Sequence, residues 1–275
     1  MHLEIEPAGK VAVVTGAGSG IGKGAALAFA RAGLRVIVAD IDLSAAEEVA
    51  AAARGLGVAA SGVGCDVASL ESFVSLRDAV MDRFGRVDVV MNNAGVILSG
   101  LPEQIPLSEW ERVLNVNLMS IVRSNHVFLP LLLQQGSGHI VNTSSFAGLY
   151  TYSYDRLPYA ASKAAIVQIS EGLALYLRPQ GIGVTCLCPG PVRTNIMKSN
   201  RAWSTGLDIR GPGPEFGMLE PDEVGEMVVD AVRRNLFFLP TDSAVTAKLI
   251  DRATDWEGFL QRQIQEPHII VRGPQ

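Results

Sequence analysis

Hydrophobic and polar positions divide the chain into short apolar runs separated by longer segments of helical periodicity. The short runs are rich in β-branched residues and lack a polar face, a pattern typical of strands buried on both sides in a parallel sheet. The longer segments repeat apolar residues every three or four positions, which indicates helices packed on that sheet. Strands are predicted at 10–16, 35–40, within 57–67, and at 87–95, 138–145 and 181–190, and helices at 20–32, 44–54, 69–84, 108–134 with a bend near Pro130, and 158–178.

The alternation of strand and helix predicts a doubly wound parallel α/β sheet, since each pair of parallel strands needs a right-handed crossover. Ligands of such a sheet bind beyond the carboxyl ends of its strands. Residues 195–219 contain several Gly and Pro and no clear period, which predicts a lid over the substrate. Because no linker divides the 275 residues, we expect one domain at 1–275, ending with a helix at 222–234, a strand within 235–240, and a C-terminal extension at 241–275 that is helical over 243–264.

A glycine-rich loop follows the first predicted strand, and a helix begins directly after it. Glycine allows the backbone to turn tightly and to approach a pyrophosphate closely. The helix N-terminus adds unpaired N–H groups and a positive dipole end. A glycine pattern alone would also fit an ordinary turn, but its place between the first strand and first helix favours a dinucleotide site. In the register Gly-x-x-x-Gly-x-Gly, the candidate contacts are Gly16, Ser19, Gly20, Ile21 and Gly22.

Asp40 ends the second predicted strand, 18 residues after Gly22 (40 − 22). A carboxylate at this position accepts hydrogen bonds from the adenosine ribose and repels a 2′-phosphate. The next residue is Ile41, and neither it nor Ser19 is basic, so no cation compensates. The sequence therefore predicts NAD rather than NADP. An N-cap role for Asp40 is the alternative, although Asp42 or Ser44 fits that role better.

Tyr159 and Lys163 are four residues apart on a predicted helix and therefore share one face. The pKa of a tyrosine is ordinarily about 10, and a nearby ammonium and a positively charged nicotinamide would favour the phenolate. Tyr159 is thus a candidate base for alcohol oxidation and acid for ketone reduction. Lys163 could also bind the nicotinamide ribose, and Ser145 could donate to the substrate oxygen. A surface Tyr–Lys pair with a loop serine would show the same short pattern.

Six motifs in chain order resemble the short-chain dehydrogenase/reductase family over roughly residues 9–194. The resemblance implies a single-domain Rossmann fold, NAD-dependent alcohol oxidation or ketone reduction, and a homo-oligomer, tetramer or dimer, built partly from the helices near 108–134 and 158–178. The motifs are the glycine loop, Cys65-Asp66-Val67, Asn92-Asn93-Ala94-Gly95, Asn115-Val116-Asn117-Leu118, Tyr159-x-x-x-Lys163, and Pro189-Gly190 followed by Pro191-Val192-Arg193-Thr194.

The resemblance also implies roles for individual residues. Asn117 would hold a water that links Lys163 to solvent as a proton relay. Val192 would bind the nicotinamide carboxamide through its backbone, and Thr194 would approach the cofactor. The remaining cofactor contacts implied are Ile41, Asp66, Val67, Asn93, Ala94, Gly95, Pro189 and Gly190.

Two features depart from the family pattern. Ser145 precedes Tyr159 by 14 residues (159 − 145), one more than usual, so the loop TYSYDRL carries an extra residue and Ser144 is a second candidate. The usual glycine-rich ending after the last strand is also absent.

Rival functions are disfavoured by particular residues. The glycine spacing argues against a sugar-nucleotide epimerase, Asp40 against an NADP-linked ketoreductase, and Ser145 with Asn117 against an enoyl reductase. A non-catalytic cofactor-binding regulator would commonly lack Tyr159 or Lys163, and both are present.

Composition restricts the class of partner. The chain is 48% hydrophobic and 19% charged, as expected for a folded globule. A net charge of −5 without a basic run gives no electrostatic reason to bind nucleic acid or anionic lipid. No apolar stretch of about 18 residues and no signal-peptide core is present, so we expect a cytoplasmic protein with no membrane partner. Cys65, Cys186 and Cys188 predict buried reduced thiols rather than a metal site.

The substrate pocket is predicted to have a largely apolar wall, with a few polar groups for orientation. An apolar wall favours an uncharged, fairly bulky secondary alcohol or its ketone, alicyclic or steroid-like, over a sugar phosphate or acyl thioester. The same aromatic residues would also fit packing of the lid itself. The candidate wall residues are Phe146, Tyr150, Tyr152, Tyr154, Met197, Trp203, Phe216 and Met218, and the nearby cations are Arg193, Arg201 and Arg210.

Overall fold

Seven parallel strands form the central sheet in the computed structural model, which describes residues 9–207 and 210–265. The sheet has the order β3-β2-β1-β4-β6-β7-β9, and β5 pairs with β8 in a separate two-stranded ribbon. All the predicted strands are present, which confirms the Rossmann-type α/β fold. The strands are β1 (Val11–Thr15), β2 (Arg35–Asp40), β3 (Ala60–Gly64), β4 (Val89–Asn92), β5 (Leu98–Ser99), β6 (Gly138–Thr143), β7 (Ile182–Cys188), β8 (Arg201–Ala202) and β9 (Phe238–Pro240).

Helices cover both faces of the sheet, and a separate apolar core lies on each face. One core is formed with α1, α2 and α8, and the other with α3, α5 and α7. The helices are α1 (Gly20–Arg31), α2 (Leu43–Gly55), α3 (Leu70–Phe84), α4 (Leu107–Asn117), α5 (Met119–Gln135), α6 (Phe146–Leu149), α7 (Leu157–Leu177), α8 (Pro221–Arg234), α9 (Val245–Thr254) and α10 (Trp256–Gln265), with single 3₁₀ turns at Arg178–Gln180 and Asn195–Ser199.

The strand order reverses between β1 and β4. From β1 the chain moves outward through β2 and β3, then returns to β4 on the other side of β1 and continues through β6 and β7. The loops after β1 and β4 therefore diverge, and the crevice between them is the binding position of a doubly wound sheet. Both the glycine loop and the Asn92-Asn93-Ala94-Gly95 motif lie at this point.

The predicted helix at 108–134 is two helices, and the break lies at Leu118 rather than near Pro130. Pro130 lies inside α5 without ending it. At the break, the Ser120 hydroxyl donates to the backbone carbonyl of Asn117 (3.4 Å). A side-chain hydrogen bond thus takes the place of a helical backbone hydrogen bond at this carbonyl. The break leaves Asn117 as the last residue of α4.

The combined segment Leu107–Gln135 is long and apolar enough to cross a membrane by length and composition alone. Among the described residues it is the one segment that meets this criterion, which helices of a protein core also meet.

The predicted lid is partly ordered into regular structure. Val192, just before the lid, forms a bridge with Leu219 at its end, and inside the lid β8 pairs with β5. The C-terminal helical segment divides at Asp255 into α9 and α10, which bury Val245 and Phe259 against the region after β6. The predicted tail at 266–275 and lid residues 208–209 lie outside the described residues.

Candidate active site

The glycine loop is packed too tightly for side chains at two positions. Gly16 has φ 62°, and a Cβ there would lie 2.7 Å from the Cα of Ala94. A Cβ on Gly22 would lie 2.3 Å from the carbonyl oxygen of Gly16. The Asn93 amide holds the loop from the other side by donating to the carbonyls of Thr15 and Gly16, both at 3.1 Å. The backbone between β1 and α1 is therefore held in place, and the lack of side chains lets a ligand approach it closely.

The N-terminus of α1 is left without a side-chain cap. Ser19 occupies the N-cap position but makes no capping hydrogen bond, and the first turn carries no acidic residue. The next two helices differ, since Asp42 caps α2 and Ser69 caps α3 through their side chains. Uncapped amides with a positive dipole end form an anion site, which fits a pyrophosphate.

Asp40 lies at the mouth of this loop. One carboxylate oxygen accepts from the backbone of Gly18 (2.8 Å), and the other from the backbone of Asp42 (3.0 Å). Because Asp42 caps α2, the alternative N-cap role for Asp40 is wrong. Each oxygen keeps a further lone pair, so the carboxylate can still accept from ribose hydroxyls.

One cleft of about 540 Å³ collects nearly all the candidate residues. Its glycine-loop end holds Asp40, and its other end holds Tyr159. Gly22 lies beneath the loop and Asn117 lies behind the catalytic end, so neither lines the cleft. The predicted residues that do line it are Gly16, Ser19, Gly20, Ile21, Asp40, Ile41, Asp66, Val67, Asn93, Ala94, Gly95, Ser145, Tyr159, Lys163, Pro189, Gly190, Val192 and Thr194.

Tyr159 is buried beside two polar neighbours. Its burial raises the pKa of the phenol, while a hydrogen bond from the Ser145 side chain and the positive charge of Arg156 oppose that rise in part. The phenol is therefore protonated at neutral pH in the free protein. The phenolate of Tyr159, which would accept a proton, forms only if additional positive charge nearby lowers the pKa of the phenol.

Lys163 supplies an ammonium one helical turn from Tyr159. Its Nζ donates to the carbonyl of Thr143 at 2.8 Å and lies 5.6 Å from the centre of the Tyr159 ring. Burial lowers the pKa of Lys163 to about 8, so the group stays largely charged at neutral pH. The Thr143 hydroxyl is itself buried without a partner among the described residues.

Ser145 remains next to Tyr159 despite the extra residue between them. It is the N-cap of α6 and accepts from the amide of Ala147 at 3.2 Å. Ser144 instead donates to the backbone carbonyl of Lys163 at 2.7 Å, so its hydroxyl is committed to α7. Ser145 is accordingly the serine whose hydroxyl is placed to meet a substrate oxygen.

Asn117 clamps the loop after β4 to α7. Its Oδ1 accepts from the amide of Val96 (2.8 Å), and its Nδ2 donates to the carbonyl of Val96 (3.0 Å) and to the hydroxyl of Ser162 (3.1 Å). The side chain is fully buried. The proton relay that family resemblance implies for Asn117 stays a prediction.

The predicted substrate wall is only partly correct. Tyr152, Met197 and Met218 line the cleft. Phe146, Tyr150 and Phe216 instead pack into a core with residues of α9 and α10. The reason is that the C-terminal helices cover these aromatic side chains from behind. Tyr154 and Trp203 are exposed and do not line the cleft either.

Charged residues also differ from expectation. Arg193 pairs with Glu220 and Arg201 pairs with Glu109, and neither lines the cleft, whereas Arg210 does. Sequence reasoning missed Arg156, which also lines it. Its position three residues before Tyr159, one helical turn away, is the signal that would have indicated it.

Comparison with known proteins agrees with this geometry. A family model described as short chain dehydrogenase matches residues 10–205. The chain belongs to the short-chain dehydrogenase/reductase family.

Individual relatives extend the comparison. The probable oxidoreductase EphD of Mycobacterium tuberculosis is 37% identical over 80% of this chain, but the match spans only 39% of that longer protein. A cyclohexanol dehydrogenase of Acinetobacter is 35% identical over 87% of this chain and 96% of its own length. A short-chain dehydrogenase/reductase of Burkholderia phymatum, solved in complex with NAD, superposes with TM-score 0.84 at 33% identity, covering 96% of this chain and 99% of the other.

Replacing Gly22 by Ala should weaken dinucleotide binding about tenfold or more, because the new methyl group forces the loop away from its tight turn. Titration calorimetry with NADH measures the effect. Gly55→Ala is the matched control, since a Cβ there meets nothing within 4 Å. An unchanged dissociation constant for Gly22→Ala would show that the loop does not hold the cofactor.

Proposed function

We propose that the protein interconverts an uncharged, fairly bulky secondary alcohol and its ketone, alicyclic or steroid-like, with NAD as the hydride carrier. The observation that carries the proposal is the position of Tyr159. Its phenol is buried, hydrogen-bonded to Ser145, and lies in the same cleft as the glycine loop. A proton-transfer group and a dinucleotide cradle at opposite ends of one cleft suit hydride transfer to or from a carbonyl carbon.

The residues present fit NAD. The rigid glycine turn and the uncapped amides of α1 suit the pyrophosphate, and Asp40 suits an unphosphorylated adenosine ribose. Lys163 would hold the nicotinamide ribose, and Val192 and Thr194 the carboxamide end. When bound, NAD⁺ accepts the hydride from the alcohol carbon. The NAD-bound structure of the Burkholderia relative supports this choice.

The chain's own groups then account for the proton. Ser145 holds the substrate oxygen by donating its hydroxyl hydrogen, and Tyr159 takes the alcohol proton during oxidation or returns it during reduction. Lys163, charged at neutral pH, favours the phenolate by electrostatic attraction. Thr143 fixes the ammonium in place by accepting its hydrogen bond. Asn117 lies behind this group, where the family resemblance implies a water that would pass the proton to solvent.

The substrate end of the cleft supports a mainly apolar ligand. Its walls come from Ile97 in the loop after β4 and from Ile196, Met197 and Met218 in the lid. Side chains of this kind exclude water from the reacting groups, and burying the hydrocarbon part of a ligand against them is favourable. The cyclohexanol dehydrogenase relative acts, by its name, on an alicyclic secondary alcohol.

Tyr159→Phe should lower kcat by on the order of 10²–10⁴, because it deletes the proton-transfer group and keeps the ring. Steady-state rates of NADH formation measure the loss, and Tyr176→Phe, an exposed tyrosine on the same helix, is the matched control. Near-wild-type turnover by Tyr159→Phe would exclude this residue as the base.

Asp40→Asn should narrow the preference for NAD over NADP, since it removes the negative charge that repels a 2′-phosphate. Asp42→Asn is the matched control, because asparagine keeps the cap of α2 while removing a carboxylate two residues away. The ratio of kcat/KM for the two cofactors is the measurement. A wild-type enzyme that prefers NADPH would contradict the assignment, and the NADP-linked ketoreductase would replace it.

We further propose a homo-oligomer, a tetramer or dimer, that forms through α4, α5 and α7. Exposed apolar side chains on these helices support it, among them Leu107, Met119, Val122 and Leu175, and the exposed Ala161 and Ala164 permit close helix packing. Light scattering at micromolar concentration should show at least two copies, and Val122→Glu should lower the mass. A wild-type monomer would refute this assembly.

The buried free cysteines support a reducing, cytoplasmic location.

A further inference from the structure

Two polar side chains in the cleft, Tyr152 and Arg156, neither give nor take a proton in the transfer proposed above. Tyr152 lies close to Ser145, the residue that meets the reacting oxygen, and the Ser145 side chain partly offsets the rise in the Tyr152 pKa that burial causes. The guanidinium of Arg156 lies 5.9 Å from the centre of the Tyr152 ring, and its side chain is only 11% exposed. Both residues line the cleft beside Tyr159.

The charge of Arg156 is already balanced within the protein. Its Nε donates to the carboxylate of Asp155 at 2.8 Å, and the Asp155 side chain is only 2% exposed. The pair is thus a buried ion pair whose net charge is close to zero. A substrate anion placed there would face Asp155 as well as Arg156, so the pair favours a neutral hydrogen-bond acceptor over a carboxylate or phosphate.

Arg156 keeps donor capacity after its protein contacts are counted. Nη2 donates to the carbonyl of Arg210 at 2.8 Å and weakly to Asp155 at 3.4 Å. Nη1 has no partner among the described residues. A guanidinium has five N–H donors in a planar fork, and Arg156 lines the cleft, where a ligand can reach it. An acceptor atom on the substrate would complete this arrangement.

Both groups remain donors at working pH. Burial by itself would lower the pKa of Arg156, but its hydrogen bond and ion pair with Asp155 outweigh burial and raise it. Burial raises the pKa of Tyr152 to about 12. Neither group can therefore serve as a base near neutral pH, which leaves recognition as their available role.

We propose that Tyr152 and Arg156 form a specificity site for a second, uncharged oxygen on the substrate, carried on a carbon close to the reacting one. The proposal rests on the proposed function and narrows its substrate class to diols, hydroxyketones or diketones. The extra residue in the TYSYDRL loop lies in the segment that holds both side chains. A site with buried donors discriminates strongly against a substrate that lacks the matching acceptor, because those donors are then left unpaired.

The test compares two probes of the same ring size, cyclohexanol and trans-cyclohexane-1,2-diol. Wild-type kcat/KM for NAD⁺ reduction should favour the diol by on the order of tenfold or more. Tyr152→Phe and the double variant Asp155→Asn/Arg156→Met should lose most of this preference, so that the ratio of the two kcat/KM values falls toward one. Loss of the Arg156 charge also acts on the pKa of Tyr159, and this affects both probes alike, so the ratio is the readout. The double variant avoids leaving a buried carboxylate without its partner, and Arg234→Met removes an exposed arginine as the control.

A purely structural role would lower the rates on both probes together and leave their ratio unchanged, which would overturn the specificity site and leave hydride transfer intact. Equal wild-type rates on the two probes would overturn it as well. Failure of the wild-type enzyme to oxidise either probe would contradict the proposed function itself and the specificity site with it.

Discussion

The hydrogen bond from the Lys163 ammonium to the Thr143 carbonyl joins the end of β6 to the second turn of α7, and the catalytic geometry depends on this junction. Ser144 adds a second link by donating to the carbonyl of Lys163. Gly148 permits the close contact, because a Cβ there would lie 2.5 Å from that same carbonyl. With strand and helix locked together, Ser145 and Tyr159 meet although 13 residues separate them in the chain.

Burial at this junction acts on the two titratable groups in the same sense, since it favours the neutral form of each. It raises the pKa of Tyr159 and lowers that of Lys163 to about 8. At neutral pH the free protein therefore holds a neutral phenol beside a largely charged ammonium. A positively charged nicotinamide beside the phenol would shift the balance toward phenolate, so the base would form when the oxidised cofactor is in place.

Sequence patterns predicted the elements that depend on local periodicity and motif spacing. The strand–helix alternation predicts the parallel sheet. Because the carboxyl ends of its strands share one edge, it also predicts that the glycine loop meets the motif of Tyr159 and Lys163 there. The break at Leu118 was missed because it depends on a hydroxyl contact from Ser120 within an otherwise helical pattern. Pro130, the expected point of bending, lies within a continuous helix.

The substrate wall was the least predictable part, for a physical reason. Apolar side chains near the lid can bury themselves either against a ligand or against other protein, and the pattern of one segment does not distinguish these. Phe146 and Tyr150 pack against α9 and α10, which are distant in sequence. The spacing of Arg156 from Tyr159 was a signal for its position, but its burial depends on its pairing with Asp155, which the pattern of the segment does not show.

The most direct test of the account is a pH titration of tyrosinate absorbance, taken as the difference between wild type and Tyr159→Phe, with and without NAD⁺. The account predicts that Tyr159 in the free protein ionises above the ordinary tyrosine pKa of about 10. Saturating NAD⁺ should move that midpoint to lower pH. A midpoint that NAD⁺ leaves unchanged, or one already near neutral pH in the free protein, would contradict the claim that burial and cofactor charge together control the base.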